Sequence, residues 1–348
     1  MDNYPIFKNE YISENNEIEM HSKFKNYLSF TDGLVNNIQF NSTNKSEIPL
    51  SFYPIAKNIR IPASHMAMNI LNNKASFIDN MSRIAEVDFW RYDKQMGNWF
   101  PWLWSRGRIN DNSKNIDGWK FYFDSFTELS KKIENNNECI EPSNQLILFF
   151  IYLSCIKYTF QLNDSYKNKM NEYKSKMNWP LGSKILAVQI RRGETCTKDW
   201  SMTDRPYFHL NRYIEEIEKM LLKNNYEYIY ISTDSNEEID EIIRQRPQWK
   251  LLYLPIDRQQ FFRMNETPVD LEVFCSLEPD RIPFIVDSGL ADLYFISQCQ
   301  GYISTISVSE FSRCGWFLQI ATQGKLTPYI NMNEGVLNME DRDKLLLL

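Results

Sequence analysis

Residues 184–194 read KILAVQIRRGE, so a largely apolar run ends in two adjacent arginines, Arg191 and Arg192. A guanidinium does not deprotonate and can hold a phosphate through two parallel hydrogen bonds. One arginine at a strand end is commonly a salt bridge; two in succession before Gly193 favour an anion site. A second set of donors lies in GYISTISVSEFSRCGWF, where Ser304, Thr305, Ser307 and Ser309 crowd a strand-to-helix junction ahead of Arg313. Ser307 and Glu310 have the S-x-x-E spacing of a capping box, which predicts a helix start at that point. The free N–H groups and positive dipole end of a helix N-terminus suit phosphate. Capping alone accounts for Ser307 but not for the other hydroxyls or Arg313. Together the two sets suit a diphosphate held by arginines, hydroxyls and a helix end.

Other phosphate and metal signatures are missing. The sequence has no G-x-G-x-x-G and no G-x-x-x-x-G-K-[ST]. His21, His65 and His209 are scattered, and a D-x-D pair occurs only as Asp341–Arg342–Asp343 in a charged C-terminal stretch. The expectation is an anion site that works without a metal or other cofactor. The six cysteines, Cys139, Cys155, Cys196, Cys275, Cys299 and Cys314, have neither zinc-knuckle nor redox-motif spacing and read as isolated reduced thiols.

The chain that must position these residues has 348 residues, 43% of them apolar and 24% charged, enough for two globular domains. A net charge of −6 argues against nucleic-acid binding by overall field. The first 20 residues are polar and acidic, with no signal-peptide pattern. The most apolar run, Leu146 to Ile156, is far short of the ~20 residues that span a bilayer and reads as a buried core helix. The expected location is therefore the cytoplasm, with no membrane span.

The pattern changes near MNWPLGSK, residues 177–184, where Pro and Gly break it. This divides the chain into residues 1–180, mostly helical or irregular and on the acceptor side, residues 181–335, and a tail of residues 336–348. In the first part, residues 144–176 read as one long helix. Trp90, Trp99, Trp102, Trp104 and Trp119 read chiefly as packed core, with one or two available to line a sugar groove. After residue 181 the rhythm is strand, helix, strand, helix. Strands are expected in KILAVQI, YEYIYIST, WKLLYLP, GYISTI and TPYINM, and helices in the segments between them, the last ending at Gly324. Such alternation makes an α/β, Rossmann-like parallel sheet covered on both faces. Open sheets of this kind bind ligands at the carboxyl ends of their strands, where Arg191 and Arg192 fall.

Three elements resemble fucosyltransferases of the α1,6- and protein-O-fucosyltransferase superfamily, over roughly residues 181–325. AVQIRRGE resembles their H-x-R-R-x-D element and YIYISTDS a strand ending in T-D. LADLYFISQCQGYISTISVSEFSR resembles their D-x-x-F-L-S-Q…T-x-S-S…R element, with about one extra residue between Thr305 and Arg313.

The resemblance implies a two-domain GT-B-like fold and an inverting, metal-independent glycosyltransferase. Such an enzyme moves fucose from GDP-fucose to a hydroxyl of a glycan or glycoprotein acceptor. It implies that Arg191 holds the β-phosphate, Arg192 organises the same loop and Asp292 accepts hydrogen bonds from the guanine edge. Ser307 or Ser309 donates to the β-phosphate, with Thr305 in the same group. The family histidine is Gln189 here, a residue that can still hydrogen-bond base or ribose, and the family aspartate is Glu194. The family's base position, ten residues after that histidine, holds Asp199, with Lys198 and Asp204 close by. Two other readings stay open: a transferase for a different nucleotide sugar, and a non-catalytic nucleotide- or glycan-binding protein.

Overall fold

The computed structural model describes residues 28–37, 45–47, 66, 75–77, 145–192, 207–261, 282–306 and 309–332. The tryptophan-rich segment, Glu194, Asp199, Ser307 and the tail 336–348 lie outside the described residues. Helix α1 covers 28–37, strands β1 (Lys45–Glu47) and β2 (Ala75–Phe77) pair in parallel, and helices α2 (Gln145–Thr159) and α3 (Asp164–Met177) follow. The remainder alternates: β3 (Ile185–Ile190), α4 (Leu210–Asn224), β4 (Tyr228–Thr233), α5 (Asn236–Gln245), β5 (Leu251–Leu252), a 3₁₀ turn (Arg258–Phe261), α6 (Ile282–Gln298), β6 (Gly301–Ser304), α7 (Glu310–Gln323) and β7 (Tyr329–Asn331).

Strands β3 to β7 form one parallel sheet in the order β5-β4-β3-β6-β7. The expected α/β, Rossmann-like sheet is present. The chain winds outward from β3 to β5, crosses back through α6, and winds the other way through β6 and β7. The strand order therefore reverses between β3 and β6, which makes the crevice at their carboxyl ends the switch point of the sheet.

Alternation along each strand divides the packing. Leu186, Val188, Ile190, Ile229, Ile231 and Ile303 pack with Tyr213 and Ile217 of α4 and Ile239 and Ile242 of α5. Ile185, Ala187, Tyr230 and Tyr302 face the opposite way, into a core shared with α6 and α7. β3 is buried along its whole length, as expected for a central strand covered on both faces. Helix α7 is buried from Ser312 to Ala321, enclosed between the sheet and the helices beyond it. Phe150, Ile151, Leu153 and Ile156 of α2 belong to that core, so the apolar run is the core helix expected of it. Among the described residues no helix is long and apolar enough to cross a membrane.

Three expectations about elements are corrected. Residues 144–176 form two helices, because Asn163 caps α3: its side chain accepts from the Tyr166 N–H at 3.0 Å, and a residue whose side chain competes for backbone donors starts a helix better than it continues one. WKLLYLP contributes only Leu251 and Leu252 to the sheet, at an edge, just ahead of Pro255, which has no N–H to give. The last helix begins at Glu310, with Ser309 and not Ser307 as its N-cap. Its end at Gly324 is as expected: that residue has φ 65° and donates its N–H to Ile320 O at 2.9 Å. The core containing α2 and α3 is continuous with the sheet, so packing runs across the 180/181 division.

Candidate functional site at the sheet switch point

The strand register builds the floor of the site. Gln189 of β3 lies beside Ser232 of β4, and Ser304 of β6 beside Asn331 of β7. The pairing of Val188 with Ile303 places Gln189 and Ser304 in the same row. Because side chains alternate, this row faces the same way as Ala187, Tyr230 and Tyr302. An apolar floor thus ends in a polar row at the carboxyl edge, beneath the start of α7.

That row joins the two donor sets. Gln189 is buried, and its Oε1 accepts a hydrogen bond from the Ser312 hydroxyl in the first turn of α7. Ser309 Oγ accepts from the Ser312 N–H at 3.2 Å, and the Ser309 N–H donates to Thr305 O at 3.0 Å. The end of β3 and the mouth of α7 are therefore held together by side chains. Thr305 is half-buried and Arg313 buried there. Ser304 is fully buried at the end of β6.

The twin arginines take different places. Arg191 is half-buried at the exit of β3. Arg192 donates its backbone N–H to Asp234 Oδ1 at 2.7 Å and its Nε–H to Glu238 Oε1. Its guanidinium lies 4.6 Å from the ring centre of Tyr207 and 5.7 Å from that of Tyr213. Burial opposes its charge, but the hydrogen bond and charge of Glu238, aided by Tyr207 and Tyr213, hold the guanidinium above its ordinary value.

Asp292 projects from the middle of α6, with Tyr230 Oη donating to its Oδ1 at 2.5 Å. Burial pushes its carboxyl up to about 6; the Tyr230 hydroxyl, the Arg258 charge and Ser232 pull the other way, and Asp234 adds to the rise. Arg258, itself buried, donates Nε–H to Thr233 O at 2.9 Å. A carboxylate, an arginine and hydroxyls thus converge at the end of β4.

Of the residues expected from sequence, Gln189, Arg191, Arg192, Thr305 and Ser309 gather at the ends of β3 and β6, and Asp292 lies toward β4. Sequence reasoning missed Arg258, Glu238 and Ser312. Ser312 sits three residues after the cap and carries a sequence signal through that spacing. Glu238 stands three residues after Ser235 in the pattern of a capping box and reads as mere capping. Arg258, in a turn with no periodic pattern, gives no signal.

No family model matches this sequence, and no curated protein matches it. Solved structures do. The fucosyltransferase NodZ from Bradyrhizobium is 14% identical, with 84% of this chain and 98% of that one covered and a TM-score of 0.43. NodZ alpha-1,6-fucosyltransferase soaked with GDP-fucose is 15% identical, with 54% of this chain and 51% of that one covered and a TM-score of 0.33. POFUT1 in complex with GDP-fucose is 11% identical, with 59% and 55% covered and a TM-score of 0.35. In the last two pairings the chain spans about half the length of the structure it matches.

Proposed function

We propose that this protein is an inverting glycosyltransferase that moves fucose from GDP-fucose to a hydroxyl of a glycan or protein-linked acceptor, without a metal ion. The observation that carries this reading is the Gln189–Ser312 hydrogen bond. It ties the end of β3, just before Arg191 and Arg192, to the first turn of α7 across the switch point, which supports a diphosphate site between the two. In this reading Arg191 and the Ser309 end of α7 take the β-phosphate, with Thr305 and Ser307 beside them. Arg192 fixes the loop. Asp292 accepts from the guanine edge, where two adjacent N–H donors match a carboxylate, and Gln189 stands near the ribose or base.

The chemistry follows from charge. As the bond from the sugar to the diphosphate breaks, positive charge grows on the sugar ring and negative charge on the departing GDP. Donors already aimed at the diphosphate contribute more in the transition state than in the ground state. Asp199 takes the proton of the acceptor hydroxyl as it attacks the opposite face of the sugar, a role worth about 10²- to 10⁴-fold.

The test is to incubate the protein with GDP-fucose and, separately, with other nucleotide sugars and a panel of glycan and peptide acceptors, with and without EDTA, and to weigh the products. A deoxyhexose added from GDP-fucose alone, undiminished by EDTA, supports the proposal. Transfer from another donor moves it to a different nucleotide sugar. GDP binding without any transfer makes the protein a nucleotide-binding module.

A further inference from the structure

We propose that Glu238 is a positioning residue for the diphosphate site: through Arg192 it sets the course of the loop that carries Arg191. The inference rests on the nucleotide-sugar reading above. Arg192 is gripped from two sides by the segment that follows β4. Its backbone N–H is taken by Asp234, and its side chain by Glu238. The side chains of Arg192 and Glu238 are only 9% and 14% exposed, so this is a desolvated ion pair and not a solvated surface contact. Tyr207 and Tyr213 flank the guanidinium and restrict it further.

The helix start around Glu238 shows that this carboxylate is not needed for capping. In a capping box the glutamate reaches back to the N–H of the capping residue. Here Ser235 Oγ accepts from the Glu238 N–H at 3.4 Å, but the Ser235 N–H is taken by Thr233 Oγ1 at 3.2 Å. Thr233 does the work that the glutamate would have done, and the Glu238 carboxylate turns to Arg192. Among the described residues, Glu238 Oε2 and one terminal nitrogen of Arg192 are buried without hydrogen-bond partners. The pair therefore meets at one point, Nε to Oε1. One-point attachment of a desolvated pair costs more than a paired fork and is poorly explained as a device for stability alone. It is explained if the pair exists to fix the backbone leaving β3. Arg191 is the neighbouring residue on that backbone, so a shift of the Arg192 anchor moves the diphosphate contact.

The test uses GDP and guanosine as probes on the full chain. Their affinities are measured by calorimetry for the wild type, Glu238→Gln, Arg192→Ala and the double variant, with melting temperatures alongside. Glu238→Gln keeps the size of the side chain and an acceptor for Nε, and removes the charge. The expected result is GDP binding weakened by about tenfold, guanosine binding unchanged, and no further loss when Arg192→Ala is combined with it. A selective loss for the diphosphate is not something general loosening of the fold would give. GDP affinity unchanged in Glu238→Gln overturns this inference and leaves the nucleotide site standing. Equal weakening of GDP and guanosine also overturns it, since the effect is then on the fold. A wild type that binds neither probe removes both this inference and the reading beneath it.

Discussion

Asp292→Asn is expected to make the protein more stable and less able to bind guanine nucleotides. The fold raises this carboxyl from an ordinary 3.8 to about 6, chiefly by burial. A raised carboxylate pKa means that the native state binds the proton more tightly than the unfolded chain. Between the two values the native state carries more protons, so stability falls as pH rises through that window and the cost is fully present above it. The difference of about two pH units corresponds to about 3 kcal/mol at pH 7 and about 1 kcal/mol at pH 4.5. Asparagine keeps an oxygen for Tyr230 and Ser232 and removes the buried charge. For a chain of 348 residues the unfolding entropy is roughly 0.7 kcal/mol per kelvin, so the variant should melt about 4 °C higher at pH 7. The gap should narrow to about 1 °C at pH 4.5. In the wild type GDP affinity should fall about tenfold from pH 7 to pH 5, as the carboxylate is protonated, and the variant should bind weakly at both. Scanning calorimetry and GDP titrations at the two pH values measure this. A variant that melts no higher than wild type at pH 7 refutes the argument that burying Asp292 has a cost. A flat pH profile refutes its role toward the base.

Two further outcomes follow from the packing. Ser309→Ala removes the cap of α7 and should cost about 1 kcal/mol in chemical denaturation while also weakening GDP binding. Gly301→Ala would place a methyl carbon 2.1 Å from Tyr226 Oη and 2.6 Å from the ring carbon that bears it, so the Tyr226 ring or the start of β6 must shift. The expected loss is about 1–3 kcal/mol, largely recovered when Tyr226→Leu removes the obstruction; full stability in the single variant contradicts the packing.

The sheet was legible because its strands are short β-branched runs ended by turn residues, as in ILAVQI and YIYIST, and because the helices between them repeat at helical spacing. The position of Arg191 and Arg192 was legible for the same reason: charged residues at the end of a buried strand stand out, and both follow β3 directly. The strand order was not legible, since no local pattern in GYIS tells which neighbour it joins; the register with β3 decides that. Nor was the helix start at Ser309, because Ser307 and Ser309 both offer a capping hydroxyl and only the turn from Thr305 to Ser309 selects between them. The partner of the Arg192 side chain was equally hidden. Glu238 lies 46 residues beyond Arg192, and its spacing from Ser235 imitates a local cap. Arg258 reaches Thr233 from a turn after an edge strand of two residues, a contact made only by the tertiary fold.

The central claim is that a nucleotide's diphosphate sits between Arg191 and the mouth of α7. Calorimetric titration of GDP into the wild type and into Arg191→Ala tests it most directly, with UDP and ADP as controls. The account predicts that GDP binds the wild type in preference to UDP and ADP. It also predicts that Arg191→Ala weakens GDP about tenfold to 100-fold, with the melting temperature unchanged. Equal affinity of the two proteins for GDP, or no heat with any nucleotide, would contradict it.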